Sequence, residues 1–127
     1  MATSVINTAE APEPIGPYNQ AVRAGDLVFI SGQIPADPAT GRIVTGDIST
    51  ETHQVMRNLK AILRAAGLDF PQVVKSTIFV TDLANFGIVN EIYGQYFSQG
   101  QFPARETVQV AALPKGVQVE ISMIAAG

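Results

Sequence analysis

The sequence predicts an α+β fold in which a mixed β-sheet carries two helices on one face. The predicted order is two or three strands, a helix, a strand, a helix and two strands, within 127 residues. A chain of this length, with 46% apolar and 15% charged residues, suits a single domain spanning residues 1–127 with one hydrophobic core. The second face of such a sheet would be bare, and its mixed polar and apolar residues suggest an interface between subunits.

The N-terminal third predicts strands and loops. The first 18 residues contain three prolines and are expected to run extended, after a short strand at Ser4–Asn7. The segments Gln20–Arg23 and Leu27–Ser31 flank a glycine and predict a β-hairpin. Residues 32–46 are rich in proline and glycine, so we expect a long loop that has room for a short strand.

The clearest predicted helix has apolar residues at helical spacing: Val55, Met56, Leu59, Ile62, Leu63 and Ala66. Ser49 or Thr50 is expected to cap its start, and Gly67 to follow its end. His53 lies near its first turn and is predicted to be an exposed polar residue.

The C-terminal half predicts a strand, a helix and two more strands. Val73–Thr81 is rich in β-branched residues and predicts a strand. Asp82 or Asn85 is expected to cap the second helix, whose apolar face contains Phe86, Val89, Ile92 or Tyr93, and Tyr96 or Phe97. The last two strands are predicted at Ala104–Val110 and Val117–Ala125, and they are expected to pair as a hairpin.

Composition excludes several kinds of site. The chain has no cysteine and one histidine, which excludes disulfides, thiol nucleophiles and multi-histidine metal sites. The net charge of −3 and the scattered basic residues argue against nucleic-acid binding. The absence of a basic N-terminal region and of a long apolar run predicts a cytoplasmic protein that does not insert into membranes.

Two charged residues on the predicted last hairpin stand out. With Val110 opposite Val117, Arg105 lies diagonal to Glu120 on the same face of the sheet. A register change of one residue would place them on different faces. An arginine there is suited to binding a carboxylate, and a nearby glutamate to acting as a general base. From the residues alone, however, an ordinary cross-strand ion pair is the favoured interpretation.

Five segments of the chain, in order, change that interpretation. The sequence resembles the reactive intermediate deaminase (RidA/YjgF) family from about residue 5 to the C-terminus. The resemblance rests on the segments Gly16–Ala21, Phe29–Pro35, Val89–Tyr93, Phe102–Arg105 and Leu113–Ile121.

The resemblance implies a chorismate-mutase-like fold and a homotrimer with sites in clefts between subunits. It implies hydrolysis of small 2-imino acids, such as 2-iminobutanoate and 2-iminopropanoate, to 2-keto acids and ammonia without a metal or organic cofactor. By the same resemblance, Arg105 would bind the substrate carboxylate and Glu120 would hold the attacking water. Tyr18, Ser31 and Asn90 would line the pocket, and the backbone of Thr107 would face the substrate nitrogen.

The sequence departs from the usual family pattern at three positions. Asn19 stands where serine is common, and Glu106 and Thr107 stand where serine and cysteine are common. Strand alternation is expected to point Glu106 away from Arg105. Two other functions stay open: a non-catalytic trimer that binds a metabolite or a partner in the same cleft, and an RNA-directed activity, which the acidic charge balance disfavours.

Overall fold

A single six-stranded sheet organises the computed structural model, which describes residues 3–44 and 46–127. The strands follow the spatial order β1-β2-β3-β6-β4-β5, and two helices pack on one face of the sheet. The predicted α+β class with a mixed sheet is therefore confirmed. The bounds are Thr3–Ile6 (β1), Ala21–Ala24 (β2), Leu27–Gln33 (β3), Ile48–Ala65 (α1), Val73–Val80 (β4), Phe86–Gly94 (α2), Ala104–Gln109 (β5) and Val119–Ala126 (β6).

The core lies between α1 and the central strands. Side chains of β6 alternate between buried and half-buried, and its four buried residues face α1. The apolar stripe of α1 that the sequence predicts is almost completely buried against this face. Each fully buried aliphatic side chain of the stripe contributes roughly 1.5–3 kcal/mol to stability. The opposite face of the sheet carries no helix in the described ranges and is called the open face below.

The helix ends differ in part from the predictions. Asp47, and not Ser49 or Thr50, caps α1, because its carboxylate accepts a hydrogen bond from the Thr50 backbone N–H at 2.8 Å. Gly67 follows the C-terminus of α1 with a φ of +78°, as expected of a glycine at that position. Asp82 caps a short 3-10 turn that precedes α2.

The predicted hairpin of the last two strands is wrong. Strand β5 pairs in parallel with β4, whereas β6 lies between β3 and β4 and is antiparallel to both. Both edges of β6 are therefore occupied, and β5 takes the free edge of β4 by a strand–helix–strand crossover through α2. The chain then passes the end of β4, where the Thr81 N–H donates to the Gln118 carbonyl, before it enters β6.

The remaining predictions have mixed outcomes. The strand at the N-terminus and the hairpin of β2 and β3 are present. The loop after β3 contains one isolated bridge between Ala36 and Ile43, and the predictions for residues 1–2 and Thr45 lie outside the described residues. His53 is half-buried, and its Nδ1 lies 2.8 Å from the Tyr96 hydroxyl, so the prediction of an exposed residue is wrong. Across the described ranges, no helix has the length and apolar character needed to cross a membrane.

Candidate functional site

Arg105 lies on the helix-covered face of the sheet, at its outer strand. It pairs with Ser76, which is completely buried and accepts a hydrogen bond from the Tyr93 hydroxyl at 2.8 Å. The Arg105 guanidinium carbon is 5.1 Å from the centre of the Tyr93 ring and 5.6 Å from that of Phe86. Two aromatic rings on α2 therefore hold the guanidinium by cation–π contacts and leave its N–H groups available.

A cleft of about 480 Å³ opens beside this guanidinium. We call it the arginine cleft, and it is lined by Asn90, Tyr93, Gly94, Phe102, Pro103 and Arg105. Burial raises the pKa of Tyr93, although the Ser76 hydrogen bond and the nearby Arg105 charge oppose this rise. The Tyr93 hydroxyl is therefore a neutral donor to Ser76, and no negative charge from it competes for Arg105.

No carboxylate of the described chain neutralises Arg105. The ion pairs found in residues 3–44 and 46–127 join Arg64 to Asp69 and Lys75 to Glu106. An arginine that is held by aromatic rings, faces a cleft and has no acidic partner in its own described chain is suited to binding a carboxylate from outside.

Glu120 lies on the open face, opposite to Arg105. It pairs with Phe79 on β4, and its neighbours in sequence, Val119 and Ile121, are fully buried toward α1. The prediction that Arg105 and Glu120 share one face of a hairpin is therefore wrong, because β4 separates their strands and the pairing registers place them on opposite faces. Within one chain the two side chains do not form a common site.

Burial raises the pKa of Glu120 above its ordinary value of 4.5. The carboxylate lies against Gly32 of β3, and it takes part in no ion pair with the described residues. Desolvation without a compensating cation makes a carboxylate a stronger base than one in free solution. Its environment is therefore suited to accepting a proton from water.

Gly32 connects Tyr18 and Ser31 with Glu120, because it follows Ser31 in the chain, lines a pocket with Tyr18 and lies against the Glu120 carboxylate. Tyr18 is about half exposed and lines a pocket of about 360 Å³ together with Gly32. The Ser31 hydroxyl donates to the Asn19 carbonyl at 2.6 Å, and the Ser31 N–H donates to the Gln20 carbonyl at 2.9 Å. We call Tyr18, Ser31, Gly32 and Glu120 the glutamate face.

Gln20 anchors the segment that leads to Tyr18. Its side-chain amide is buried and forms four hydrogen bonds to the backbone of Thr8, Ala11 and Pro12. These bonds fix both ends of the loop that carries Tyr18. Sequence reasoning did not single out Gln20 as a positioning residue, although a glutamine between proline-rich and apolar segments was a visible signal.

The other predicted site residues lie on the arginine side. Asn90 is exposed and lines the arginine cleft. Thr107 pairs with the buried Ile78, so it faces the helices, two residues along β5 from Arg105. Its hydroxyl is buried and has no hydrogen-bond partner in the described part of the chain. The structure thus divides the predicted residues into two groups, Arg105, Asn90 and Thr107 in one and Tyr18, Ser31 and Glu120 in the other.

Two of the three departures from the family pattern, Asn19 and Glu106, leave both groups intact. Glu106 pairs with Thr77 on the open face and forms an ion pair with Lys75 at 3.2 Å. Its charge therefore points away from the arginine cleft, as alternation along the strand predicts. Asn19 contributes its backbone carbonyl to Ser31, a contact that any residue at this position can make.

Comparison with known proteins places the chain in a family. A family model described as Endoribonuclease L-PSP matches residues 8–127. The chain belongs to this family, the RidA/YjgF family. Protein DfrA of Myxococcus xanthus is 57% identical over 98% of this chain and 96% of its own. The human protein named 2-iminobutanoate/2-iminopropanoate deaminase is 51% identical over 95% of this chain and 88% of its own.

Solved structures of similar proteins share the fold. The crystal structure of E. coli TdcF with bound serine has a TM-score of 0.92 and 46% identity, and the match covers 98% of each chain. Agreement at this level extends to the whole sheet and both helices. The sequence resemblance to the RidA/YjgF family is therefore confirmed.

Proposed function

We propose that this protein is a 2-iminobutanoate/2-iminopropanoate deaminase that acts as a homotrimer, with each site formed between two subunits. The observation that carries the proposal is Arg105, which is held over two rings in an open cleft without an acidic partner in the described chain. A small 2-imino acid has the planar carboxylate that this guanidinium matches. The name of the human relative and the bound serine of TdcF, itself an amino acid with a carboxylate, support the same ligand class.

The separation of the two groups supports a site between subunits. Arg105 and Glu120 lie on opposite faces of one sheet, so a site that uses both requires the arginine cleft of one chain and the glutamate face of another. The open face also carries a row of apolar residues across four strands: Val5, Val22, Phe29 and Ile124. Val5 is 59% exposed and Phe29 44% exposed, which favours burial against another copy of the chain.

The chemistry needs one bound substrate and one activated water. Arg105 binds the substrate carboxylate through two parallel hydrogen bonds and so fixes the imine carbon. Water adds to the carbon of the protonated imine and gives a proton to Glu120 of the neighbouring subunit, which leaves a neutral carbinolamine. The protonated Glu120 then donates this proton to the nitrogen, the carbon–nitrogen bond breaks as the hydroxyl releases its proton to solvent, and ammonia and the 2-keto acid are formed. The backbone of Thr107 would face the nitrogen throughout.

The direct test is imine hydrolysis by the purified protein. 2-Iminobutanoate and 2-iminopropanoate are generated in the reaction vessel, and formation of the 2-keto acid is followed with and without the protein. We expect acceleration above the buffer rate. A rate equal to that of buffer contradicts the proposal, and binding of 2-ketobutanoate without turnover would instead favour a metabolite-binding trimer.

Substitution of Arg105 tests whether this residue binds the carboxylate of the substrate. Arg105→Ala is expected to lower kcat/KM by about 100-fold or more, because two charge-assisted hydrogen bonds to the substrate are lost. Arg105→Lys retains the charge but not the planar fork, so an intermediate loss is expected. Arg57→Ala, on the exposed side of α1, is the matched control for loss of a cation and should retain activity. Equal activity of Arg105→Ala and Arg57→Ala would contradict the assignment.

A further inference from the structure

The contact between Gly32 and Glu120 has a feature that ordinary packing does not require. The Glu120 side chain occupies the space into which a side chain at position 32 would project. A Cβ atom built on Gly32 would lie 2.9 Å from Glu120 Cδ and 3.1 Å from Glu120 Cγ, and it would overlap Oε2. Real Cβ atoms do not approach other heavy atoms so closely, so this position of the carboxylate depends on glycine.

Backbone conformation does not explain the glycine. Gly25 and Gly116 have φ values of +60° and +69°, which side-chain-bearing residues rarely adopt. Gly32 is not among the residues with positive φ, so a residue with a side chain could adopt its backbone conformation. It lies where the pairing between β3 and β6 shifts register, between Ile30 and Gln33. Space for the neighbouring carboxylate is thus the physical reason for glycine at this position.

We propose that Gly32 is a positioning residue that holds the Glu120 carboxylate in its half-buried place on the glutamate face. The inference rests on the proposed function, in which Glu120 holds the attacking water. Close contact with the backbone at position 32 limits the rotamers of the glutamate and so keeps its carboxylate in one position on the glutamate face. A side chain at position 32 would displace the carboxylate without touching Arg105, which lies on the other side of the sheet.

Gly32→Ala tests this role through kinetics. The end of a glutamate side chain is flexible, so the variant is expected to fold and to move the carboxylate rather than the backbone. We expect kcat to fall by about 10- to 100-fold, because a displacement of about 1 Å can cost that much in rate. KM should change by less than about threefold, since Arg105, which binds the substrate carboxylate, is unaltered. The acid limb of the pH profile should move to lower pH as Glu120 becomes more exposed to water.

Gly87→Ala is the matched control. Gly87 lies on α2, and a Cβ built there meets no heavy atom within 4 Å, so this variant should keep the wild-type kcat and pH profile. A Gly32→Ala variant with wild-type kcat and an unchanged acid limb overturns the inference. A loss confined to KM also overturns it, because such a loss would indicate altered binding and not a displaced base.

Thermal unfolding supplies a test that does not depend on catalysis. The effect of Gly32→Ala on Tm is measured in the wild-type and Glu120→Ala backgrounds as a double-mutant cycle. If a side chain at position 32 destabilises the protein by colliding with Glu120, Gly32→Ala lowers Tm in the wild-type background and has a smaller effect in the Glu120→Ala background. Equal shifts in the two backgrounds overturn the inference. If Gly32→Ala alone fails to fold, the inference requires that the double variant with Glu120→Ala folds, and a double variant that also fails to fold overturns it. Failure of the proposed deaminase activity would leave this coupling intact, so the two failures are distinguishable.

Discussion

The Glu120 carboxylate should determine how activity depends on pH. Burial raises the pKa of this group above 4.5, and a general base is active only when it is ionised. Activity is therefore expected at neutral pH and should fall as pH decreases through the raised pKa, at a higher pH than for an exposed glutamate. A pH–rate profile of kcat/KM checks this, and an acid limb at or below pH 4.5 would contradict it.

Glu120→Gln separates catalysis from stability. It should lower kcat by about 100-fold or more, because the base is lost. The folded-state pKa of Glu120 is raised, so its favourable contribution to stability exists below the unfolded pKa and is lost as pH rises through the folded pKa. At pH 7 the neutral glutamine avoids the desolvated charge, and the variant should unfold at a Tm no lower than wild type. An inactive variant that also melts well below wild type would mean that the glutamate is structural.

Substitutions of Thr107 test whether its backbone, and not its side chain, contacts the substrate. Its buried hydroxyl has no hydrogen-bond partner in the described chain, and Thr107→Val replaces it with a group of the same shape. Removing an unsatisfied hydroxyl should raise the free energy of unfolding by about 1 kcal/mol. Because the proposed contact uses only the backbone, kcat/KM should change by less than about threefold.

Thr107→Ser is the control, since it keeps the hydroxyl and loses the methyl group. Thr107 is half-buried, so the loss of its methyl group should lower the free energy of unfolding by no more than about 1 kcal/mol. If Thr107→Val loses activity while Thr107→Ser retains it, the hydroxyl has a partner in the assembled site, and the assignment to the backbone is wrong.

At the scale of the elements, local patterns predicted strands and helices well but not the partner of every strand. Alternation in β6 and the apolar stripe of α1 depend on nearby residues, and both are present as predicted. The partner of β5 depends on which strand edges remain free after the whole sheet forms. The strand–helix–strand order of β4, α2 and β5 was the available signal for parallel pairing.

The parallel pairing of β5 with β4 decides which face of the sheet carries each residue of the candidate site. Arg105 and Glu120 were identified by resemblance, and their types agree with the proposed chemistry. Their faces could not be predicted from alternation alone, since a hairpin and a parallel crossover place the same arginine on different sides of the sheet. The role of Gly32 was likewise not visible in the sequence, because a glycine needed for space looks the same as one needed for a turn.

At the scale of the whole molecule, the helix-covered face and the open face carry different groups of residues. One carries the core and the arginine cleft, whereas the other carries Glu120 beside an exposed apolar row. Neither face alone contains both groups that the proposed chemistry needs. Activity should therefore depend on assembly, and the catalytic unit should be an interface between two chains.

Mixing two inactive variants tests this dependence. Arg105→Ala retains an intact glutamate face, and Glu120→Ala retains an intact arginine cleft. When the two are co-expressed or refolded together, each site draws its arginine and its glutamate from different chains. With random 1:1 assembly of a cyclic trimer, about one quarter of the sites contain both groups, so about one quarter of the wild-type activity should return.

The control is a chain with both substitutions, mixed with either single variant. Such mixtures contain only one of the two required groups at any interface, so they should stay inactive at every ratio. Tagged subunits and mass measurement verify that mixed trimers form. If mixed trimers of the single variants form and remain inactive, Arg105 and Glu120 do not act in the same intersubunit site. Recovery near one quarter, in contrast, requires that one subunit binds the carboxylate while its neighbour activates the water.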